Sequence, residues 1–413
     1  MHIGVLGAGL AGLSAAITIA KTGEQVTVFE CMPSVGRQIH PNYQALRTNA
    51  PGNNINSYLG SLALAPKNFD SKYLSKMLLY TNDVGMRTLF FKNPVAFVMR
   101  GGNNSLEYGL YKQALDLGVQ FEFTSKKSEK DATIIATGRR KCDAAAFGEI
   151  YEAPDFPRDC FFYMHNDRYS PMGWYSYIIP IGEDRIEIVN CASQPHAKKV
   201  AALYRLLITE HPFVRKYVTG KKPLCCFGGY GGVDYPTTAF RNGKYYVGEA
   251  AGFQDACRGF GMHYALESGH YAAKVIIENL DVRKFQELRT ASGRRPLDVV
   301  EFPQQIGMSR NSQKQFREHD QERIAVLDKR TSLDYDVLWK NAFAERLRID
   351  FAYRFALSLL GEKAVEWYFR NMKDGDTIDY SILEKHDFLC NIATNLAFNC
   401  ELLKKRLLRY WSL

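Results

Sequence analysis

The sequence predicts an α/β fold in which an antiparallel sheet is inserted into a parallel one and a helical region follows. Three observations predict it. Residues Met1 to Glu30 read as strand, glycine turn, apolar helix and second strand. From about residue 150 the apolar pattern takes the two-residue period of antiparallel strands. Beyond residue 285 the chain is charged and helical in character.

The opening stretch gives the parallel sheet its character. His2-Ile3-Gly4-Val5-Leu6 reads as a short buried strand running into Gly7-Ala8-Gly9-Leu10-Ala11-Gly12. Leu13, Ala15, Ala16, Ile17, Ile19 and Ala20 make an apolar helix, and Gln25 to Phe29 make the strand that delivers Glu30. In this setting G-x-G-x-x-G marks a Rossmann-like dinucleotide site. Gly7 permits the tight turn, Gly9 lets a pyrophosphate approach the backbone, and Gly12 lets helix and strand pack closely. The helix N-terminus at Leu10 and Ala11 offers unpaired N–H groups and a partial positive charge to the phosphates. Glu30 is placed to accept from the ribose hydroxyls of an adenosine.

Composition sets the limits. At 413 residues the chain has room for two or three domains. Its 46% hydrophobic and 23% charged residues are those of a globular protein. A net charge of +9 suits an anionic cofactor or a membrane surface and does not indicate nucleic acid. Nine cysteines, an odd number without a C-x-x-C pair, argue for reduced thiols and against a disulfide framework or a metal site. A core strand beginning at residue 2 argues against a signal peptide. No apolar run approaches the ~18–20 residues of a membrane span. A cytoplasmic location is therefore expected.

After Glu30, the turn to Gly36-Arg37 brings a guanidinium beside the bound pyrophosphate, and Arg37 is assigned that role. The polar stretch Gln38 to Asn56 is expected to be a loop lining a cavity, not a core element. Residues 57–99 read as short strands with a helix near Ser71 to Tyr80. Arg100-Gly101-Gly102 breaks the chain. Ser105 caps a helix over Leu106 to Leu117, and Val119 to Phe123 is a strand. Ala132 to Ala136 is the next strand, and Thr137-Gly138 turns at its end, where backbone can lie close to a ligand. In the β-rich part, Cys160 to Met164, Trp174 to Pro180 and Arg185 to Val189 are strands, the last half-exposed. A helix follows from Ala197 to about Thr209. The vicinal Cys225-Cys226 reads as two half-buried strand residues, with redox activity the alternative. Gly228 to Gly232 reads as irregular backbone. Asn242-Gly243 signals a hairpin. Its second strand ends in Gly248-Glu249-Ala250-Ala251-Gly252, and a helix starts near Met262. The last helix, Phe388 to Trp411, carries Lys404, Lys405, Arg406 and Arg409 near its end. It is expected to pack on the protein's own core, with peripheral membrane contact the alternative.

The two glycine segments, about 240 residues apart, resemble those of the FAD-dependent oxidoreductases of the p-hydroxybenzoate hydroxylase superfamily. Within it the chain is most similar to the geranylgeranyl reductase family. That family's second motif is matched by Gly248, Ala250, Ala251, Gly252, Gly259 and Gly261, with Glu249 in place of Asp and Ala256 in place of Pro. Its Tyr-x-Trp-x-Phe-Pro resembles Tyr175-Ser176-Tyr177-Ile178-Ile179-Pro180. Flavin-dependent halogenases carry a related frame, so this segment marks the fold more than the chemistry. Arg100 sits where the superfamily has an Arg that contacts FAD. The loop Gln38 to Gln44 lacks the Cys of many archaeal reductases. Ala136-Thr137-Gly138 stands where hydroxylases have Ala-Asp-Gly.

The resemblance covers roughly residues 1–285. It implies an FAD-binding domain of the GR2 type in segments 1–60, 100–150 and 241–285. It implies a substrate domain in segments 61–99 and 151–240, and a helical region at 286–413. FAD would be held by the first glycine motif, Glu30, Arg37, Arg100, Gly138 and the second motif through Met262. A helix beginning at Gly261-Met262 would direct N–H groups at the negative charge of the reduced ring. With a single glycine triplet of this type, NAD(P)H is expected as a transient reductant, and a ferredoxin-like donor protein is the alternative. The implied reaction is hydride transfer between flavin N5 and an apolar, isoprenoid or lipid-like substrate. Such a substrate would sit against Tyr175, Tyr177 and the Gly228–Gly232 backbone. His40, Tyr175 and Tyr177 are the candidate proton donors. The alternatives are an FAD-dependent monooxygenase or halogenase, the latter drawing on Lys67, Lys72 or Lys76, and a non-catalytic flavin-binding protein.

Overall fold

The computed structural model describes residues 2–292 and 334–378, apart from Gln38, Asn49, Arg139, Arg140, Val233 and Asn371. β1 (His2–Leu6), α1 (Leu10–Ala20) and β2 (Gln25–Phe29) form where the apolar pattern places them. Next come β3 (Asn42–Ala45), α2 (Ile55–Ser61), the long hairpin of β4 (Ser71–Thr81) and β5 (Gly85–Arg100), and α3 (Leu106–Asp116). Strands β6 (Gln120–Glu122), β7 (Ile134–Ile135), β8 (Ala144–Glu152), β9 (Cys160–Met164), β10 (Ser176–Ile181) and β11 (Arg185–Ser193) follow. Helices α4 (Val200–Glu210) and α5 (Pro212–Val218) lead to β12 (Cys225–Gly231), the hairpin of β13 (Phe240–Arg241) and β14 (Lys244–Tyr246), and α6 (Met262–Ser292). Further helices span Tyr335–Trp339, Glu345–Leu360 and Glu362–Phe369, and β15 (Thr377–Ile378) ends the described chain.

Six strands make the first sheet, in the order β13-β14-β7-β1-β2-β6, parallel throughout except for the β13–β14 hairpin. Ile3, Val5, Leu13, Ile17, Val28, Ile134 and Leu266 are fully buried in its core. Each such aliphatic side chain contributes about 1.5–3 kcal/mol by leaving water. α6 lies directly on α1. A Cβ at Gly269 would come within 2.1 Å of the Ala11 carbonyl oxygen, so this crossing requires glycine. The Ser14 hydroxyl donates to the Leu266 carbonyl across it at 2.8 Å.

The second sheet has nine strands in the order β12-β8-β11-β10-β9-β4-β5-β15, with β3 paired to β5 beside this path. It is antiparallel except at β4–β9 and β5–β15. One face packs Ile178, Ile186, Ile188 and Phe162 against Tyr204, Leu207 and Val214 of α4 and α5. The other face carries Phe161, Tyr163, Tyr177 and Ile179 into a cavity.

Four segments differ from the sequence reading. The helix expected near Ser71 to Tyr80 is strand β4. Leu74, Met77, Leu79 and Thr81 are buried, and a bulge against β5 between Leu74 and Lys76 supplies the helix-like three-residue step. Asn42–Ala45, expected as loop, is β3, and the polar Asn42 is buried because the segment pairs with β5. β11 is buried along nearly its whole length rather than half-exposed, being central in the sheet and covered on both faces. Gly228 to Gly231 is a regular edge strand paired with β8. Cys225 is partly buried and Cys226 exposed on that strand, and every described cysteine is a free thiol. Among the described residues no helix is long and apolar enough to cross a membrane. The basic helix expected at Phe388 to Trp411 lies outside the described residues.

Candidate active site

A cavity of about 1560 Å³ separates the two sheets and begins at the turn after β1, where Gly9, Leu10 and Ala11 line it. The three motif glycines do different work. Gly7 has a φ of +107° and lies so close to β7 that a Cβ would sit 2.4 Å from the Ala136 carbonyl oxygen. A Cβ on Gly12 would lie 2.0 Å from the Gly7 carbonyl oxygen. A Cβ on Gly9 would meet no atom within 4 Å, so the space above Gly9 belongs to the cavity. No side chain caps α1, which leaves the N–H groups of its first turn for a ligand.

Glu30 is buried at the end of β2. One carboxylate oxygen accepts from the Ala8 N–H and the other from the Met32 N–H, both at 2.8 Å. It braces the glycine turn from behind; the oxygen that accepts from Met32 also accepts from the Cys31 thiol at 3.4 Å, and the one that accepts from Ala8 keeps a second lone pair. Arg100 lines the cavity while donating to Glu107 and, at 3.0 Å, to the Gln44 amide oxygen. Gly138, Gly248, Glu249, Gly259, Gly261 and Met262 also line it, so α6 begins in its wall. Gly7, Gly12, Glu30, Arg37 and Gly252 are not in the wall. Arg37 is exposed, and Gly252, at a φ of +89°, packs against Asp234.

The candidate proton donors all line the cavity. The Tyr163, Tyr175 and Tyr177 rings form a continuous face, with centroids 5.0 and 6.1 Å apart. The Tyr175 hydroxyl donates to the Arg258 carbonyl and is thereby committed to the loop before α6. Burial raises both Tyr175 and Tyr177 well above an ordinary phenol, and Glu187 adds to the effect at Tyr177. His40 is exposed, with its Nδ1 4.0 Å from the Cys225 sulfur.

The sequence reading missed His165, Trp174 and the C-terminal wall. His165 donates from Nδ1 to the Trp174 carbonyl at 3.0 Å, and burial lowers its pKa to about 3, so it is neutral. Its position was legible: it extends the series Phe161, Tyr163 on the cavity side of β9. The Glu345–Leu360 and Glu362–Phe369 helices close the far end with Phe355, Leu357, Val365 and Phe369, opposite Met77, Phe91 and Phe97. Arg354, 1% exposed, holds this wall in place. It donates to the Met172 carbonyl and, at 3.5 Å, to the Cys257 carbonyl, and its guanidinium lies 4.8 Å from the Trp174 ring centroid. Residues so far apart in sequence carry no motif that announces the contact.

The lysines expected of a halogenase are elsewhere. Lys76 pairs with Asp159 at 3.2 Å, Lys72 donates to the Pro180 carbonyl, and neither they nor Lys67 line the cavity.

Residues 5–58 match the family model of the NAD(P)-binding Rossmann-like domain. This stretch opens a Rossmann-like domain, whose sheet is completed by later strands. No curated protein matches the sequence. Across both sheets the fold is similar to that of a geranylgeranyl bacteriochlorophyll reductase-like protein from Thermoplasma acidophilum. The TM-score is 0.63 at 16% identity, covering 99% of this chain and 98% of that one. It is also similar to the flavin-dependent brominase Bmp2, with a TM-score of 0.58 at 12% identity and 99% of each chain covered. The peptidyl tryptophan dihydroxylase QhpG matches at a TM-score of 0.51 and 15% identity, over 86% of this chain and 75% of its own. At these identities the likeness is one of fold, and it extends past the Rossmann-like domain through the second sheet and the C-terminal helices.

Proposed function

We propose that the chain is an FAD-dependent oxidoreductase that moves hydride between the flavin and an apolar, isoprenoid or lipid-like substrate. The observation that carries this reading is the continuity of the cavity from the Rossmann-like turn to an aromatic and aliphatic far end. Its volume of about 1560 Å³ exceeds the ~300–1,000 Å³ of a single-ligand pocket, so it accommodates a dinucleotide and a second molecule together.

The residues present fit FAD. The open space over Gly9 and the uncapped start of α1 suit its pyrophosphate, and the remaining lone pair of the Glu30 oxygen that accepts from Ala8 suits its ribose. The start of α6 at Gly261 and Met262 offers N–H dipoles to an anionic ring. When bound, FAD supplies two-electron hydride chemistry, with NAD(P)H or a donor protein as reductant. The chain's own part is to orient and to exclude water. Tyr175 fixes the loop before α6, the tyrosine face aligns the substrate, and Phe91, Phe97, Val365 and Phe369 hold its apolar body.

The test is direct. Purified or reconstituted protein should hold FAD stoichiometrically. Once reduced without oxygen, it should be reoxidised by a polyprenyl alcohol such as geranylgeraniol. Protein that takes up no FAD, or reduced protein that leaves every apolar alkene untouched, refutes the reading.

A further inference from the structure

We propose that Glu187 is the proton reservoir of the cavity, drawing protons from a side cavity and passing them through Tyr177 to the substrate. The inference rests on the reductase reading above. Reducing a C=C bond breaks its π bond and forms two C–H bonds. One carbon receives hydride from the reduced cofactor, which is oxidised. The other receives a proton from the Tyr177 hydroxyl, which Glu187 replaces from its carboxyl.

The strand register sets the geometry. In the β10–β11 pair, Ile179 stands opposite Glu187 and Tyr177 opposite Val189. Opposite residues share a face, so all four side chains belong to the cavity side of the sheet. Tyr177 is the diagonal neighbour of Glu187, a relation that sets Cβ atoms roughly 7 Å apart, within reach of long side chains. Tyr177, Ile179 and Val189 line the main cavity, and Glu187, on the same face, does not.

Glu187 is fully buried. One oxygen accepts from the Tyr43 N–H at 2.9 Å, while the other, Oε1, has no hydrogen-bond partner. A buried carboxyl oxygen left in that state is rare and calls for a reason. Burial drives the carboxyl up to about 8, against the downward pull of the Tyr43 N–H and of Lys72, so it carries its proton at neutral pH. Lys72 of β4, Tyr43 of β3 and Tyr177 of β10 are the titratable groups that face it. Arg158 acts on Lys72 in turn, and Asp70 on Tyr43. The Lys72 ammonium lies 3.9 Å from the Tyr43 ring centroid and donates to the Pro180 carbonyl, so it is anchored beside the carboxyl.

A second cavity of about 390 Å³ includes His40, Tyr43, Asp70, Ile150 and Arg185 in its lining. Ile150 is the cross-strand partner of Glu187 on β8, and Tyr43 supplies its N–H donor. Glu187 itself lines neither cavity, but its neighbours Tyr43 and Ile150 line the small one and its same-face neighbours Tyr177, Ile179 and Val189 line the main one.

The experiment compares FAD-loaded wild type, Glu187→Gln and Tyr177→Phe. Infrared spectra should show a protonated carboxyl band at pH 7 that fades above about pH 8 and is missing in Glu187→Gln. Reduced protein mixed anaerobically with geranylgeraniol should be reoxidised about 100-fold or more slowly in either variant. The wild-type rate should fall above about pH 8, and that fall should vanish in Glu187→Gln. Should that variant lose FAD, Glu187→Asp, which keeps the acid and shortens its reach, should retain the pH transition at a reduced rate. Wild type that fails to react with the alkene overturns the reductase reading and the proposal with it. Wild type that reacts, with Glu187→Gln equally fast and equally pH-dependent, overturns the role of Glu187 alone. So does absence of the carboxyl band.

Discussion

Replacing Gly9 and Gly12 by alanine, one at a time, separates ligand binding from folding within a single turn. Gly9 has a φ of −78° and ψ of −179°, which alanine adopts without strain, and its added methyl meets nothing within 4 Å. Folding stability should therefore hold or rise by about 0.4–1 kcal/mol, because the unfolded chain loses freedom. The same methyl occupies the space required by a phosphate. Displacing the pyrophosphate from two N–H donors, at about 1.5–3 kcal/mol for each charged hydrogen bond, weakens binding by ~3–6 kcal/mol. That is a factor of at least about 100 in the dissociation constant. Gly12→Ala is the converse. Its Cβ would lie 2.0 Å from the Gly7 carbonyl oxygen, a backbone atom that cannot swing aside. Such overpacking costs about 1–3 kcal/mol or more even without cofactor. Denaturant titration of the cofactor-free proteins and quenching of FAD fluorescence on binding measure the two quantities. Gly9→Ala with wild-type FAD affinity, or Gly12→Ala with wild-type stability, refutes the assignment of roles.

Glu30→Ala should strand the buried Ala8 N–H, at about 1–3 kcal/mol, and free the part-buried Met32 N–H at a smaller cost, lowering stability in urea before any cofactor is added. Arg354→Met should leave the Met172 and Cys257 carbonyls without their donor. Faster amide exchange in residues 253–261 and the Glu345–Leu360 helix is expected, with no rescue by Arg354→Lys, whose ammonium lacks the planar fork. His165 and His211 have pKa values lowered by burial to about 3 and about 4. The unfolded chain takes up protons near 6.5 where the folded chain does not. Stability should thus fall as pH drops below about 6.5, by at most ~1.4 kcal/mol per pH unit per histidine. His211→Leu should flatten that slope in urea melts, and an unchanged slope counts against it.

The Rossmann-like half was legible because its physics is local. A tight turn, a close helix and a buried acid each demand a residue type at a fixed spacing, as Gly7, Gly12 and Glu30 show. The hairpin at Asn242-Gly243 and the cap at Ser105 were legible for the same reason. The second sheet was less so. The bulge in β4 gave a strand the spacing of a helix, and the polar side chains of β3 have polar partners, Gln44 accepting from Arg100 and donating to Asn42. Glu187 itself looked like the solvent side of an alternating strand, and only the neighbours of β11 show that both faces are covered. The C-terminal wall rests on contacts such as Arg354 to Met172, which span 182 residues and leave no periodic trace.

The reaction of the reduced protein with oxygen tests the central claim most directly. The FAD-loaded protein is reduced anaerobically and mixed with aerated buffer, with and without geranylgeraniol, while its visible spectrum is followed. A reductase should return to the oxidised spectrum in one step, and the alkene alone should drive the same change without oxygen. A distinct spectral species that persists for seconds before oxidised flavin returns, together with no reaction of the alkene, contradicts the account and identifies an oxygen-using enzyme.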